Sequence, residues 1–399
     1  MHILMIAPEP FFEPRGTPFS QFHRIRALTT LGHTVDLVTY PFGRDVSLEG
    51  LRIFRCARPP FVRRVGIGPS WAKVPLDLAL TWTTLRRAWR TRYDAVHSHE
   101  EGGVIGALVA RWLGVPHLYD MHSSLPQQVT NFNYSRGGWL ARLLAWGERL
   151  MIRRSTVVIV ICPDLELTVR EIDRHVPVVL IENAPGSGHP PEAGSGARVR
   201  QSLGLGAAAP VVVYTGTFEH YQGLDLLFDA FGLVAASRPD ARLVVVGGEP
   251  KQVEAARRGI AARRLEASVT FTGQQPADDV PAYLDAATVL ASPRSIGTNT
   301  PLKIYQYLRS GRPIVATRLP THTQVLSDEV AFLAEANPKA FADAIRRALS
   351  NPEEAEAVGE RAKALANTKY TEEAFMAKTA RAVELLARRG PVPAAEGAS

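Results

Sequence analysis

The sequence predicts an α/β protein built from two parallel, doubly wound sheets, and three observations carry that expectation. Short apolar runs alternate with helical patterns along all 399 residues, as expected of strands joined by crossover helices. The chain is too long for one comfortable core, so two domains of roughly 150–200 residues each are expected. A stretch rich in Pro, Gly and Ser, from Ala184-Pro185-Gly186-Ser187 through Pro190-Pro191 to the Gly and Ser residues that follow, interrupts the pattern before it restarts.

In chain order, the first half offers strands at His2–Ala7, Thr34–Thr39, Leu51–Arg55, Ala95–Ser98, His117–Asp120, Thr156–Ile161 and Val178–Ile181. The second offers Val211–Tyr214, Arg242–Val246, Val269–Thr272, Val289–Ala291, Pro313–Ala316 and Ala331–Leu333. The segment from Glu372 to Arg389 is an amphipathic helix whose stripe of Phe375, Ala382, Val383 and Leu386 is interrupted by Thr379. The expected division is a first domain over 1–185, a linker over 186–209, a second domain over 210–371, a C-terminal helix over 372–390 and a disordered tail over 391–399. Ligands of open parallel sheets bind outside the carboxyl ends of the strands, so the chemistry belongs at those ends.

Composition narrows the class. Apolar residues make up 46% of the chain, as in an ordinary globular protein. The two cysteines, Cys56 and Cys162, make no disulfide framework and stand in no metal-ligand spacing, which favours a reducing, cytoplasmic setting. Met1 leads directly into a strand, so no signal peptide is expected, and the longest apolar run, Val157 to Cys162, is too short to span a membrane. There is no Asp-x-Asp, His-Glu-x-x-His, Walker or Gly-x-Ser-x-Gly motif, so no metal and no cofactor are expected.

Charge is uneven. Residues 1–185 carry a net +6 and the remainder +1. Between 52 and 92 there are ten basic residues against one acid, Asp77, interleaved with Phe61, Trp71, Trp82, Trp89 and Tyr93. This is either an ordinary solvated helix face or a surface that meets an anionic membrane carrying a lipid-linked acceptor. No nucleic-acid-binding module is recognisable, and no nucleic acid is expected as a partner.

The most informative stretch runs from Ser292 to Val315. It reads as a buried strand, a polar loop, and a helix capped by Thr300 with Pro301 at its first position and Gly311 at its end. A helix start suits an anion. Lys303 in its first turn is unfavourable unless something negative lies in front of it, which points to a bound phosphate.

This stretch resembles the nucleotide-sugar-binding motif of the retaining family 4 glycosyltransferases, commonly P-x-K-x-x-E-Y-x-x-x-G-x-P-V-V-A. Pro301, Lys303, Tyr307, Gly311 and Pro313 fit it, while Gln306 stands where Glu is usual. The resemblance implies a GT-B fold, two facing Rossmann-like domains with the donor bound mainly by the second and the last helix crossing back to the first. It also implies transfer of a hexose-type sugar from a nucleoside diphosphate to a hydroxyl acceptor, with retention and without a metal. The partners would be a nucleotide-sugar donor and a glycan or lipid-linked acceptor.

Further positions follow from the resemblance. Gly16 and Thr17 lie where the family has a Gly-Gly loop after the first strand, with Arg15 replacing its first Gly. His122, after the fifth strand, resembles the histidine that contacts the donor sugar, and Asp120 can orient its ring. His97, His99 and Glu100 are acceptor-side candidates with Arg15. Many relatives have Gly-Arg-x-x-x-x-Lys-Gly where this chain has Gly216, Thr217, Gln222 and Gly223, so Arg294 and Lys303 would stabilise the leaving diphosphate instead. Gln306 would hold the ribose, Gly248 and Gly273 would receive base and ribose, and Asn299, Thr300, Pro301 and Leu302 would hold the donor sugar and phosphate. Two rivals stay open: an epimerase or hydrolase of nucleotide sugars on the same fold, and a nucleotide-sugar-binding scaffold without catalysis, which the missing Arg, Lys and Glu motivate.

Overall fold

The computed structural model describes residues 1–12, 16–63, 73–126, 138–182 and 191–390, with the side chains of 138–141 also left undescribed. Arg15, Trp71 and the 391–399 tail fall outside the described residues. The chain divides into two compact units, one of residues 1–184 with 372–399 and one of 185–371.

The first unit holds β1 (His2–Ala7), β2 (Thr34–Thr39), β3 (Leu51–Arg55), β4 (Ala95–His99), β5 (His117–Met121), β6 (Val157–Val160) and β7 (Val178–Leu180). They form one all-parallel sheet in the order β3-β2-β1-β4-β5-β6-β7. Both faces are covered, which is why the strands read as near-continuous apolar runs. Along β1, Ile3, Met5 and Ala7 join one core and Leu4 and Ile6 another. Its helices are α1 (Gly16–Thr30), α2 (Lys73–Arg90), α3 (Gly102–Leu113), α4 (Gly138–Arg153) and α5 (Pro163–Ile172).

The C-terminal helix Glu372–Arg389 belongs to this unit, where Phe375, Ala382 and Leu386 pack with Ala27, Leu118 and Ile159. The interruption of its stripe has a purpose. Thr379 is buried, and its Oγ accepts a 2.8 Å hydrogen bond from Nη1 of the buried Arg24.

The second unit holds α6 (Ser195–Ser202), β8 (Val211–Thr215), α7 (Leu224–Ser237), β9 (Arg242–Val246), α8 (Pro250–Ala262), β10 (Val269–Gly273), α9 (Val280–Asp285), β11 (Val289–Ser292), α10 (Leu302–Ser310), β12 (Ile314–Thr317), α11 (Pro320–Thr323), β13 (Phe332–Ala334), α12 (Pro338–Ser350) and α13 (Pro352–Lys369). Its sheet is also all parallel, in the order β10-β9-β8-β11-β12-β13.

The linker expected over 186–209 needs correction, because α6 lies inside it and packs on α9. Its composition misleads because Gly196 serves close approach: a Cβ there would sit 2.6 Å from the Asp285 carboxylate, which accepts the Gly196 N–H at 3.1 Å. Arg200 then fastens the segment to the Ala286 carbonyl at 2.9 Å and to Thr288 at 3.2 Å.

Strand order reverses between β1 and β4 in the first sheet and between β8 and β11 in the second. Such switch points open a crevice at the carboxyl ends of the strands. In the second unit Gly216 and Thr217 follow β8 and Asn299 to Leu302 follow β11 beside the switch point, whereas Gly248 and Gly273 stand at the ends of β9 and β10. In the first unit His97, His99, Glu100 and His122 stand at the ends of β4 and β5.

Candidate active site

In the second unit, the loops leaving β8, β9 and β11 meet at van der Waals contact. A Cβ on Gly247 would lie 2.0 Å from the Gly216 carbonyl oxygen, and one on Gly223 equally close to the Pro293 carbonyl oxygen. Both glycines also have positive φ, +120° and +73°, so side chains are excluded by space and by backbone. Gly216 donates its N–H to the Val246 carbonyl at 2.9 Å, and Tyr214 donates its hydroxyl to the Thr217 carbonyl at 2.7 Å.

The helix expected from Pro301 starts one residue later, and its cap differs. Pro301 itself stands at the cap in extended backbone, φ −64° and ψ 135°. Thr300 makes no capping bond, and its buried Oγ has no hydrogen-bond partner. A residue before proline is held out of the helical region, which places Thr300 upstream of the cap. Tyr307 anchors α10 to the end of β8, its hydroxyl accepting from the Thr215 N–H at 2.9 Å.

Lys303 is the residue without a settled environment. It is 8% exposed, and its Nζ has no hydrogen-bond partner. The amine lies 3.8 Å from the centre of the Tyr214 ring and would be 3.4 Å from a Cβ on Gly216. Burial, and then the neighbouring Arg294, push its pKa well below the ordinary lysine range. A buried, uncompensated ammonium is costly, and an anion placed before it removes that cost.

Arg294, expected beside Lys303 as a diphosphate cation, is engaged with its own loop. Nε donates to the Ile296 carbonyl at 3.0 Å, and Nη1 donates to the Asn299 carbonyl at 2.7 Å and to Thr321 at 3.2 Å, while the guanidinium lies 5.0 Å from the Tyr221 ring centre. It shapes the 294–299 loop that precedes α10. His322, which the sequence reading missed, completes this arrangement by joining Ser292 at 2.8 Å and the Thr317 carbonyl at 2.8 Å. Burial pushes it down to about 3, so it is neutral. A histidine in a plain Pro-Thr-His-Thr turn carries no motif that would have revealed it.

Gln222 reaches Thr217 only at 3.5 Å, and its buried carbonyl oxygen has no partner. Glu219, four residues into the loop that leaves β8, accepts from Gln252 at 3.1 Å. Gln306 is half-buried on α10, and Leu302 is its first residue. Gly248 follows β9 and Gly273 ends β10, both with positive φ.

In the first unit, Gly16 opens α1, exposed and at φ +50°, with Thr17 half-buried beside it. His97, His99, Asp120 and His122 form one buried group at the ends of β4 and β5. His97 and His99 stack at 4.7 Å between ring centres, and His99 Nδ1 lies 3.2 Å from His122 Nε2. Asp120 lies 3.3 Å from His122 Nε2 and accepts from Arg24 Nε at 3.0 Å. His97 and His99 were expected to line the acceptor side of a cleft. They are instead 0% exposed, because both strand faces are covered here, and they pack behind Asp120 and His122.

Burial alone would raise Asp120, but the Arg24 guanidinium beside it holds it well below the usual carboxylate range. Burial lowers all three histidines in spite of Asp120, so they are neutral acceptors or donors rather than cations. The ligand atoms of His97, His99 and Asp120 lie within 4.8 Å of one another, the reach of a metal ion. Arg24 already supplies the cationic partner of that carboxylate, so the group fits a buried ion pair better than a metal.

Glu100 adopts φ +47° at the end of β4 and accepts from Ser123 at 2.8 Å. Burial and then Glu101 push it up to about 8. Glu9, after β1, is raised well above the carboxylate range by burial and by Glu100, and it accepts from Gln21.

Comparison with known proteins places these arrangements. The Glycosyl transferase 4-like domain family matches residues 23–184, and the Glycosyl transferases group 1 family matches residues 197–365. The chain is 30% identical over 285 residues to the 2-deoxystreptamine N-acetyl-D-glucosaminyltransferase of Streptomyces fradiae, covering 67% of this chain and 65% of that protein, just under two thirds of its length. It is 26% identical to the alpha-D-kanosaminyltransferase of Streptomyces kanamyceticus, covering 93% of this chain and 96% of that one. In structure it is similar to sucrose-phosphate synthase from Thermosynechococcus elongatus (TM-score 0.79, 20% identity, 96% and 98% of the two chains). It is also similar to Anabaena HepE in complex with UDP-glucose (TM-score 0.74, 18% identity, 96% and 99%). With two parallel-sheet domains in this order and both family matches in place, the chain belongs to the family 4-like glycosyltransferases of GT-B fold.

Proposed function

We propose that this protein transfers a hexose-type sugar from a nucleoside diphosphate donor to a hydroxyl of a lipid-linked or cell-envelope glycan, with retention of configuration and without a metal. The observation that carries the reading is Lys303, a buried amine with no hydrogen-bond partner at the start of a helix and above the Gly216 turn. A departing diphosphate supplies the missing negative charge, and the helix start adds unpaired N–H groups and a positive dipole end. Stabilising the leaving group this way lowers the barrier to breaking the bond between the sugar's anomeric carbon and the phosphate oxygen.

In this reading the second unit holds the donor, with Gly216, Asn299, Thr300, Pro301 and Leu302 at the phosphates and sugar and Gln306 at the ribose. Gln306 accepts from ribose hydroxyls without the charge that Glu would bring, at a cost of on the order of 1 kcal/mol in affinity. His122, neutral and oriented by Asp120, positions the donor sugar. The acceptor hydroxyl forms the new bond to the anomeric carbon, and its proton leaves with the diphosphate. The solved relative HepE binds UDP and UDP-glucose, which supports a nucleotide sugar as the donor class.

The test is a thermal-shift and diphosphate-release screen against UDP-, GDP-, ADP- and dTDP-sugars. One donor should stabilise the protein selectively and release its diphosphate slowly without acceptor. Absence of any shift would overturn the reading and favour a scaffold.

A further inference from the structure

All six tryptophans of the chain fall between residues 71 and 146. The four whose side chains are described stand in water: Trp82 is 70% exposed, Trp89 81%, Trp112 53% and Trp146 60%. They lie on α2, α3 and α4, which pack side by side in that order on one face of the first sheet.

The outer surface of these helices has an unusual composition. On α2 the buried stripe is Leu76, Leu80, Thr84 and Ala88, and the opposite side presents Val74, Leu78, Trp82, Leu85 and Trp89. The exposed apolar residues of α3 are Leu108 and Trp112, and those of α4 are Leu143 and Trp146. Among the described residues, every other exposed position on the three helices is an arginine: Arg86, Arg90, Arg111, Arg142, Arg149 and Arg153.

The acids of these helices are turned inward. Asp77 accepts from the Tyr40 hydroxyl at 2.5 Å, and Glu148 accepts from the Leu125 N–H at 2.8 Å. The C-terminal helix, on the other face of the same sheet, is an internal control. Its exposed side chains are Glu372, Glu373, Arg381, Glu384, Arg388 and Arg389 with two alanines, an ordinary solvated mixture.

We propose that the α2–α3–α4 face docks on the surface of an anionic phospholipid bilayer. Leucine and tryptophan side chains enter the boundary between headgroups and acyl chains, where the indole N–H keeps a polar partner. The arginines meet lipid phosphates, for which their planar fork is suited. The docking is peripheral, since among the described residues no helix is long and apolar enough to cross a membrane.

Charge decides between occupants. A second copy of this face would bring six more arginines against these six, and a nucleic acid would leave the exposed valine and leucines without use. The inference is independent of which sugar is transferred, although a surface that docks on lipid suits a lipid-linked acceptor.

The test is flotation of the full chain with vesicles of pure phosphatidylcholine or of an equimolar mixture with phosphatidylglycerol, at about 0.15 M salt. The protein should float with the anionic vesicles and not with the neutral ones. Acyl chains brominated near the headgroup should quench its tryptophan fluorescence. Arg86→Gln/Arg90→Gln/Arg111→Gln should lower the partition coefficient on the order of a hundredfold. Trp82→Ser/Trp89→Ser should lower it at least about tenfold, with circular dichroism and melting temperature unchanged in both variants.

Three outcomes would overturn the proposal. They are no flotation with anionic vesicles, flotation without quenching that the tryptophan variant leaves unchanged, and tighter binding to an oligonucleotide than to vesicles at the same salt. Donor binding is read separately by thermal shift, so failure here leaves the transferase reading standing.

Discussion

The Lys303 amine stands 3.8 Å from the centre of the Tyr214 ring, with no hydrogen-bond partner. An aromatic face is a weak substitute for a counter-ion, worth on the order of 0.5–2 kcal/mol. On the proposed reading, the position trades stability for the capacity to receive the donor's diphosphate.

Replacing Lys303 by Met should raise the stability of the ligand-free protein at neutral pH and lower turnover about 10²–10³-fold. The pH dependence has a definite sign. A lysine whose folded pKa is depressed binds fewer protons in the folded than in the unfolded protein between its two pKa values, so stability rises with pH across that window. Thermal unfolding of wild type and Lys303→Met from neutral to alkaline pH should show the two curves converging as pH rises. Parallel curves would contradict it.

Asp120 and Arg24 form the buried ion pair of the first unit, both almost fully shielded from solvent. Asp120→Asn strands the guanidinium and should cost about 3–5 kcal/mol in denaturant unfolding. Thr379→Val removes one acceptor of that guanidinium and should cost about 1–3 kcal/mol. Because Asp120 is held below the usual carboxylate range, its contribution is fully present above about pH 4 and fades as pH falls toward the depressed folded value. Acid unfolding should therefore shift upward in pH in Asp120→Asn.

Glu100 titrates in the opposite sense. With its pKa pushed up to about 8, the folded protein binds more protons than the unfolded one between about pH 4.3 and that value. Stability from this group falls as pH rises through the window. Glu100→Gln should leave stability at pH 5 nearly unchanged and raise it at pH 8, read as a difference between two pH–stability profiles.

Much of this was legible in the sequence. The strands of both sheets announced themselves because parallel sheets bury both faces, and Gly311 and Pro313 marked the end of α10 and the approach to β12 by backbone chemistry alone. Lys303 was legible because a cation in a first helical turn contradicts the dipole. Other features depended on long-range contact. Thr379 reads as a flaw in an amphipathic stripe until Arg24, 355 positions away, is seen to need its oxygen. Gly196 reads as linker until Asp285 appears against it. His97 and His99 read as acceptor-side residues at a strand end because nothing local reveals that both faces of β4 are covered. Composition over 52–92 showed only part of the arginine and tryptophan face. Arg52 and Arg87 pair with Asp36, Arg55 with Asp45 and Lys73 with Glu101, leaving Trp82, Arg86, Trp89 and Arg90 on it. Its extension onto α3 and α4 required the helices to be set side by side.

Gly247→Ala should disable the second unit's site while leaving every functional side chain in place. The added methyl would meet the Gly216 carbonyl at 2.0 Å at a backbone φ of +120°. The strain and displacement should cost about 2 kcal/mol or more and remove the donor-induced thermal shift. A variant that keeps that shift would show that the Gly216 turn does not contact the donor.

The central claim is that Lys303 receives the diphosphate. Calorimetric titration of the nucleoside diphosphate selected by the donor screen, in buffers of different ionisation enthalpy, tests it most directly. At a pH above its depressed pKa, Lys303 should take up a proton as the anion binds. The account predicts net proton uptake in the wild type, and in Lys303→Met both weaker binding and loss of that uptake. Equal affinity and equal proton exchange in the two proteins would contradict it.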